Sequence, residues 1–146
     1  MRIDYLWHDE DVLQLKVAAS NGLFSGSAQP YVSLGAAQEA AELLKGFPAN
    51  SNDVREISFG TSGEKFAGGY VHLYFSCWDQ AGHAAVEMQF ESKNESWPSL
   101  PGNPGYAALQ TARFRAGIEA SAIDRFVNDL KQFLLEKNQT ARLVFQ

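Results

Sequence analysis

Between residues 70 and 92 the chain alternates apolar and polar side chains through two runs, 70–78 and 83–92. Only Asp79-Gln80-Ala81-Gly82 separates them. Side chains on a strand point to opposite faces in turn, so this pattern fits two strands that each bury one face. A four-residue interruption has the length of a hairpin loop. Pairing Trp78 with His83 sets the partners 77–84, 75–86, 73–88 and 71–90. That register gathers Val71, Leu73, Phe75, Cys77, Ala84, Val86, Met88 and Phe90 on one side. A slip of one residue would turn the whole set toward water, so the register is tightly constrained. The rest of the chain must supply an apolar layer to cover this face.

The flanking segments carry the material for that layer. Leu13, Leu15 and Val17 alternate as a strand, and Asn21-Gly22 marks a turn. Residues 23–33 read as a second strand, weakened by Gly26 and Pro30 and therefore edge-like or bulged. Ser33 is placed to cap a helix whose Ala36, Ala37, Ala40, Ala41, Leu43 and Leu44 recur at helical spacing. Gly46 stops that helix and Pro48 follows. Residues 55–59 form a short strand ahead of a glycine-rich loop. After the hairpin comes a proline-rich stretch, then a strand on which Ala112, Phe114, Ala116 and Ile118 alternate with Arg113 and Arg115. Ser121 with Asp124 resembles a capping box. It opens a helix with Ile123, Phe126, Val127, Leu130, Phe133 and Leu134 on one stripe. Ala141, Leu143 and Phe145 make a last short strand. The expected fold is a single α+β domain over residues 1–146. It has a mostly antiparallel sheet of about six to seven strands, with two helices packed on one face.

Charge narrows the function classes. Twelve Lys and Arg against seventeen Asp and Glu leave a formal net charge of −5. No basic cluster is larger than Arg113 with Arg115, so neither nucleic acid nor an anionic membrane surface is an expected partner. The single cysteine, Cys77, lies on the apolar side of the hairpin and reads as a buried, inert thiol. The start of the chain shows no signal-peptide pattern, and no run reaches the roughly 20 apolar residues that span a bilayer. The expected location is a bacterial-type cytoplasm. No phosphate-binding loop, nucleophile elbow or paired metal-ligand spacing occurs. The expectation is a protein that is not an enzyme and holds no cofactor or metal.

Two surfaces remain as candidates for function. The register turns Tyr70, His72, Tyr74, His83 and Glu87 away from the apolar face, together with Gln89 and Glu91. Tyr74 then lies opposite Glu87, and His72 opposite Gln89. Such a face can be a solvated set of cross-strand pairs, a protein-contact surface, or a small-ligand or metal site. His72 and His83 fall well apart along the hairpin, which argues against joint coordination. Arg113 and Arg115 can pair with Glu87 or Glu91 if their strand adjoins the hairpin. The second surface is the loop from Trp97 to Tyr106, with prolines at 98, 101 and 104. It reads either as a rigid crossover or as a contact loop whose aromatic ends anchor a partner.

The order of short motifs carries a resemblance. Gly22-Leu23-Phe24-Ser25-Gly26, Tyr31-Val32-Ser33 and Gly46-Phe47-Pro48 are followed by Gly69-Tyr70-Val71-His72-Leu73, Asp79-Gln80-Ala81-Gly82-His83 and Asp124-Arg125-Phe126. Together they resemble a group of small bacterial proteins similar to the WapI-type immunity proteins of polymorphic-toxin systems. The resemblance implies a non-enzymatic protein that binds a cognate toxin in the cytoplasm and blocks it. It implies no catalytic residues. The alternative expectation is a small-ligand or metal-binding domain that uses the polar face of hairpin 70–92.

Overall fold

The computed structural model describes residues 1–63, 68–81, 83–93 and 109–146. The elements run β1 (Arg2–His8), β2 (Leu13–Ser20), β3 (Ser25–Ala28), β4 (Tyr31–Val32), α1 (Ala36–Leu44), β5 (Val54–Gly60), β6 (Tyr70–Cys77), β7 (Ala84–Lys93), β8 (Leu109–Ile118), α2 (Ala120–Lys131) and β9 (Thr140–Arg142). The α+β class and the antiparallel pairing agree with the sequence reading. The single sheet does not. The strands divide into a five-stranded sheet, ordered β3-β2-β1-β9 with β4 also on β2, and a four-stranded sheet, β5-β6-β7-β8.

Helix length explains the division. At about 1.5 Å per residue, α1 with 9 residues and α2 with 12 are too short to cover so many strands. The two sheets therefore meet where the edge strand β3 packs on β7 and β8. The helices fill the remainder, with α1 against α2 and β5, and α2 against β9. One hydrophobic cluster results, joining Ile3, Leu15 and Val17 of the first sheet to Phe59, Phe75 and Phe90 of the second. Phe126 of α2 and the following Phe133 belong to it too. Each such fully buried side chain contributes about 1.5–3 kcal/mol.

The hairpin register is the expected one. Val71 faces Phe90, Leu73 faces Met88, Phe75 faces Val86 and Cys77 faces Ala84. The Trp78 N–H donates to the His83 carbonyl at 2.9 Å and closes the pairing. Residues 23–33 correct the reading of one strand: Gln29 and Pro30 divide it into β3 and β4, both of which pair with β2. Strand β3 needs Gly26, since a Cβ there would sit 2.5 Å from the Phe90 ring. Both expected side-chain caps are also corrected. Helix α1 starts after Gly35 and α2 after Glu119, and neither has a capping side chain. The Ser33 carbonyl instead accepts the Ala36 N–H in a turn. Gly46 does follow the end of α1, with φ of +73°. The stripe of α2 ends at Leu130, and Phe133 is buried just past the helix end. Leu134 also lies beyond the helix but is exposed. Strand β9 is shorter than expected, and β1 lies between β2 and β9.

Candidate functional site

The outward face of the second sheet is built in rows, because the β5–β8 registers align residues across all four strands. One row runs Ser58, His72, Gln89 and Arg113; the next runs Glu56, Tyr74, Glu87 and Arg115. A third runs Val54, Ser76, Ala85 and Gly117, so three adjoining strands carry small side chains there.

Glu87 is the centre of charge. One of its oxygens accepts from both Nε and Nη2 of Arg113, and the other accepts from Arg115 Nε at 2.6 Å. These bonds, Arg113 first, hold its carboxyl below the usual carboxylate range. Its side chain is only 16% exposed, whereas those of Arg113 and Arg115 are 63% and 76% exposed. Two guanidiniums thus share one carboxylate, and Glu56 in the same row balances the second of them. Between Glu87 and Glu91 as partners for the arginines, the geometry selects Glu87.

Glu91 corrects the reading of an open polar face. It is buried, at 8% exposure, and its carboxylate accepts from the Ser62 hydroxyl at 2.9 Å and the Gly63 N–H at 3.1 Å. The Gln89 amide adds a bond of 3.2 Å. Glu91 thus ties the glycine-rich segment after β5 to the sheet.

The aromatic and histidine side chains occupy separate places. Tyr70 stacks on His72, with ring centroids 6.4 Å apart, and its hydroxyl shares a 3.3 Å bond with Ser58. His72 Nε2 lies 3.2 Å from Glu56. Tyr74 stands between Glu56 and Glu87. His83 is not part of these rows. It sits at the hairpin end, where Asp79 accepts its backbone N–H at 3.1 Å and its Nδ1 lies 2.5 Å from the Asp79 carboxylate. That bond raises the His83 pKa and lowers that of Asp79. Among the described residues, no group of three or more His, Cys, Asp or Glu is placed to hold a metal ion. Trp97 and Tyr106 lie outside the described residues.

Cys77 is half-buried rather than fully buried, and its thiol lies 3.6 Å from the Asn50 carbonyl. Burial first, then the charges of Asp53 and Asp79, push its pKa up, which keeps the thiol protonated and slow to react.

The small-residue row makes a trough of about 350 Å³ beside Tyr74, Trp78, Glu87 and Arg115. The Trp78 indole lies across the sheet as far as Gly117, where an added Cβ would meet the ring at 2.9 Å. The hairpin register alone could have placed Ser76 beside Ala85. The contribution of Gly117 depends on the β7–β8 pairing, which alternation does not fix across an intervening loop. Glu56 escaped the sequence reading for the same reason, since the β5–β6 register is set across a glycine-rich loop.

Among the described residues, no helix is long and apolar enough to cross a membrane. Comparison with protein-family models, with curated proteins and with solved structures finds no match to this chain.

Proposed function

We propose that this chain is a non-enzymatic binding module that docks a partner protein on the outward face of the second sheet. The observation that carries the reading is the order already present there: Glu87, Arg113 and Arg115 are fixed in a hydrogen-bonded triad beside the exposed Trp78, at 57% exposure, and the half-buried Tyr74. Side chains already held in place lose little freedom on association, and Trp, Tyr and Arg are the usual anchors of protein interfaces. The resemblance to WapI-type immunity proteins supports a cognate toxin as that partner and a cytoplasmic site of action. The test is capture from source-cell lysate, followed by surface substitutions. Tyr74→Ala with Arg115→Glu should abolish capture of a near-stoichiometric partner, whereas Lys16→Glu on the first sheet should leave it intact. Loss with Lys16→Glu, or retention with the double variant, would overturn the reading. The trough favours a second reading, a small-ligand domain. It predicts that a metabolite raises the melting temperature of the isolated protein and that Arg115→Glu cancels the shift.

A further inference from the structure

We infer that a cleft on the outward face of the first sheet binds a small organic phosphate, its phosphate group held between the guanidiniums of Arg2 and Arg142 and the hydroxyls of Ser25 and Ser27. The site is separate from the proposed docking face and does not depend on it.

Register builds the site. Ile3, Val17, Ala28 and Ala141 are Cα partners across β1, β2, β3 and β9 and are buried, so the adjoining row of Ser27, Ala18, Arg2 and Arg142 points outward. Ser20 and Ser25 pair beside it. With Val144 these residues line a cleft of about 650 Å³. At about 4.8 Å between strands, a group seated over Ala18 is one strand from Ser27, one from Arg2 and two from Arg142. Arg2 and Arg142 come from nearly opposite ends of the chain, so only the β1–β9 pairing brings them together.

Three observations point to a phosphate. The first is a surplus of donors. Arg2 and Arg142 stand directly opposite one another, where like charges repel. Asp4 takes only Nε of Arg2, at 2.6 Å, and also accepts from Thr140, while Asp129 takes only the backbone N–H of Arg142, at 3.0 Å. The terminal nitrogens of Arg2 and the whole Arg142 guanidinium have no hydrogen-bond partner among the described residues. Those two acids offset two of the three cations Arg2, Arg142 and Lys16, the last lying opposite Asp4. The Met1 amino group beside the cleft donates to the Leu143 carbonyl, and burial lowers its pKa to about 6, so it is mostly uncharged at neutral pH. Asp9, Glu10 and Asp11 lie past the other end of β1. The cleft therefore draws an anion through unsatisfied N–H groups gathered where no carboxylate belongs to the lining, and not through a strong field. The second observation is shape: guanidinium forks take phosphate oxygens in pairs. The Ser25 and Ser27 hydroxyls, also without partners among the described residues, can donate to the oxygens that remain, which a carboxylate does not have. The third is the apolar ground beside these donors. Ala18 and the exposed Val144 give the body of an organic phosphate a surface to lie on.

Titration of the 15N-labelled full chain with phenyl phosphate, inorganic phosphate and benzoate tests the assignment. Phenyl phosphate should move the Ala18 and Ser27 N–H resonances saturably. Inorganic phosphate should move the same resonances with lower affinity, and benzoate should bind roughly tenfold more weakly than phenyl phosphate. Arg142→Gln should weaken phenyl phosphate binding roughly tenfold while leaving the urea midpoint of the free chain unchanged, since that guanidinium supports no contact within the fold. Ser27→Ala should weaken phenyl phosphate binding and spare benzoate, a split that mere loss of stability would not give. Arg115→Gln on the second sheet should change neither. The inference is overturned by the absence of a saturable shift at Ala18 and Ser27, by equal binding of benzoate and phenyl phosphate, or by an Arg142→Gln variant that binds normally. Inorganic phosphate binding as tightly as phenyl phosphate would overturn the organic ligand. Loss of binding on Arg115→Gln would move the phosphate to the trough beside Trp78 and overturn the site.

Discussion

His83 illustrates what one residue does with its neighbour. Strand alternation groups it with His72, but the turn places it on Asp79, which holds its imidazole protonated above the ordinary value of 6.5. A folded-state pKa above the unfolded one means the contribution to stability is fully present below the unfolded value and fades as pH rises through the folded one. An NMR titration of the His83 ring should therefore give a midpoint above 6.5, and Asp79→Asn should lower it. A midpoint unmoved by Asp79→Asn would show that the pair does not hold the proton. Glu87 has the opposite sign. Its lowered pKa stabilises the face above the usual carboxylate range, and that contribution is lost in acid as the carboxyl takes up a proton. The Tyr74–Glu87 and His72–Gln89 pairings were legible in the sequence, because period-two alternation and a four-residue loop leave one register. Glu91 was not. Its burial depends on Ser62 and Gly63, which reach it from a loop whose path no periodicity encodes.

At the level of elements, local pattern located strands and helices well and their ends poorly. The run 23–33 has strand composition throughout, but proline lacks the N–H that a continuous ladder requires, so β3 and β4 pair with β2 on either side of Gln29 and Pro30. Ser33 and Ser121 were expected as caps because serine favours that position. The backbone instead starts α1 after Gly35 and α2 after Glu119, so neither hydroxyl caps a helix. Gly26 carries the clearest consequence for an element. A side chain there meets the buried Phe90 ring, which is itself stacked on Phe114 at 5.9 Å. Gly26→Ala should cost about 1–3 kcal/mol by forcing β3 off β7. Urea denaturation checks this, and a change below about 0.5 kcal/mol would mean that the β3 contact yields freely.

For the whole molecule, what the sequence left open was how the apolar faces meet. Alternation reports that each strand has a buried side, but one large sheet under two helices and two sheets sharing one core present the same pattern. Helix length decides between them only once the number of strands is known. Because both sheets and both helices share one core, the fold should be lost in a single step. Trp7 lies on the first sheet and Trp78 beside the second, so variants in which one of them is the sole tryptophan, with Trp97 also replaced, can report each sheet separately. Their fluorescence midpoints in urea should coincide with each other and with far-UV circular dichroism. Separate midpoints would mean that the sheets unfold independently. The place of β1 adds a constraint of a different kind. Residues 2–4 pair with residues 140–142, whereas among the described residues β5 to β8 pair only with their neighbours along the chain. During synthesis the second sheet can therefore assemble as it leaves the ribosome, while the first keeps a bare edge along β1 until β9 emerges. Translation order makes the last strand the one that seals the molecule.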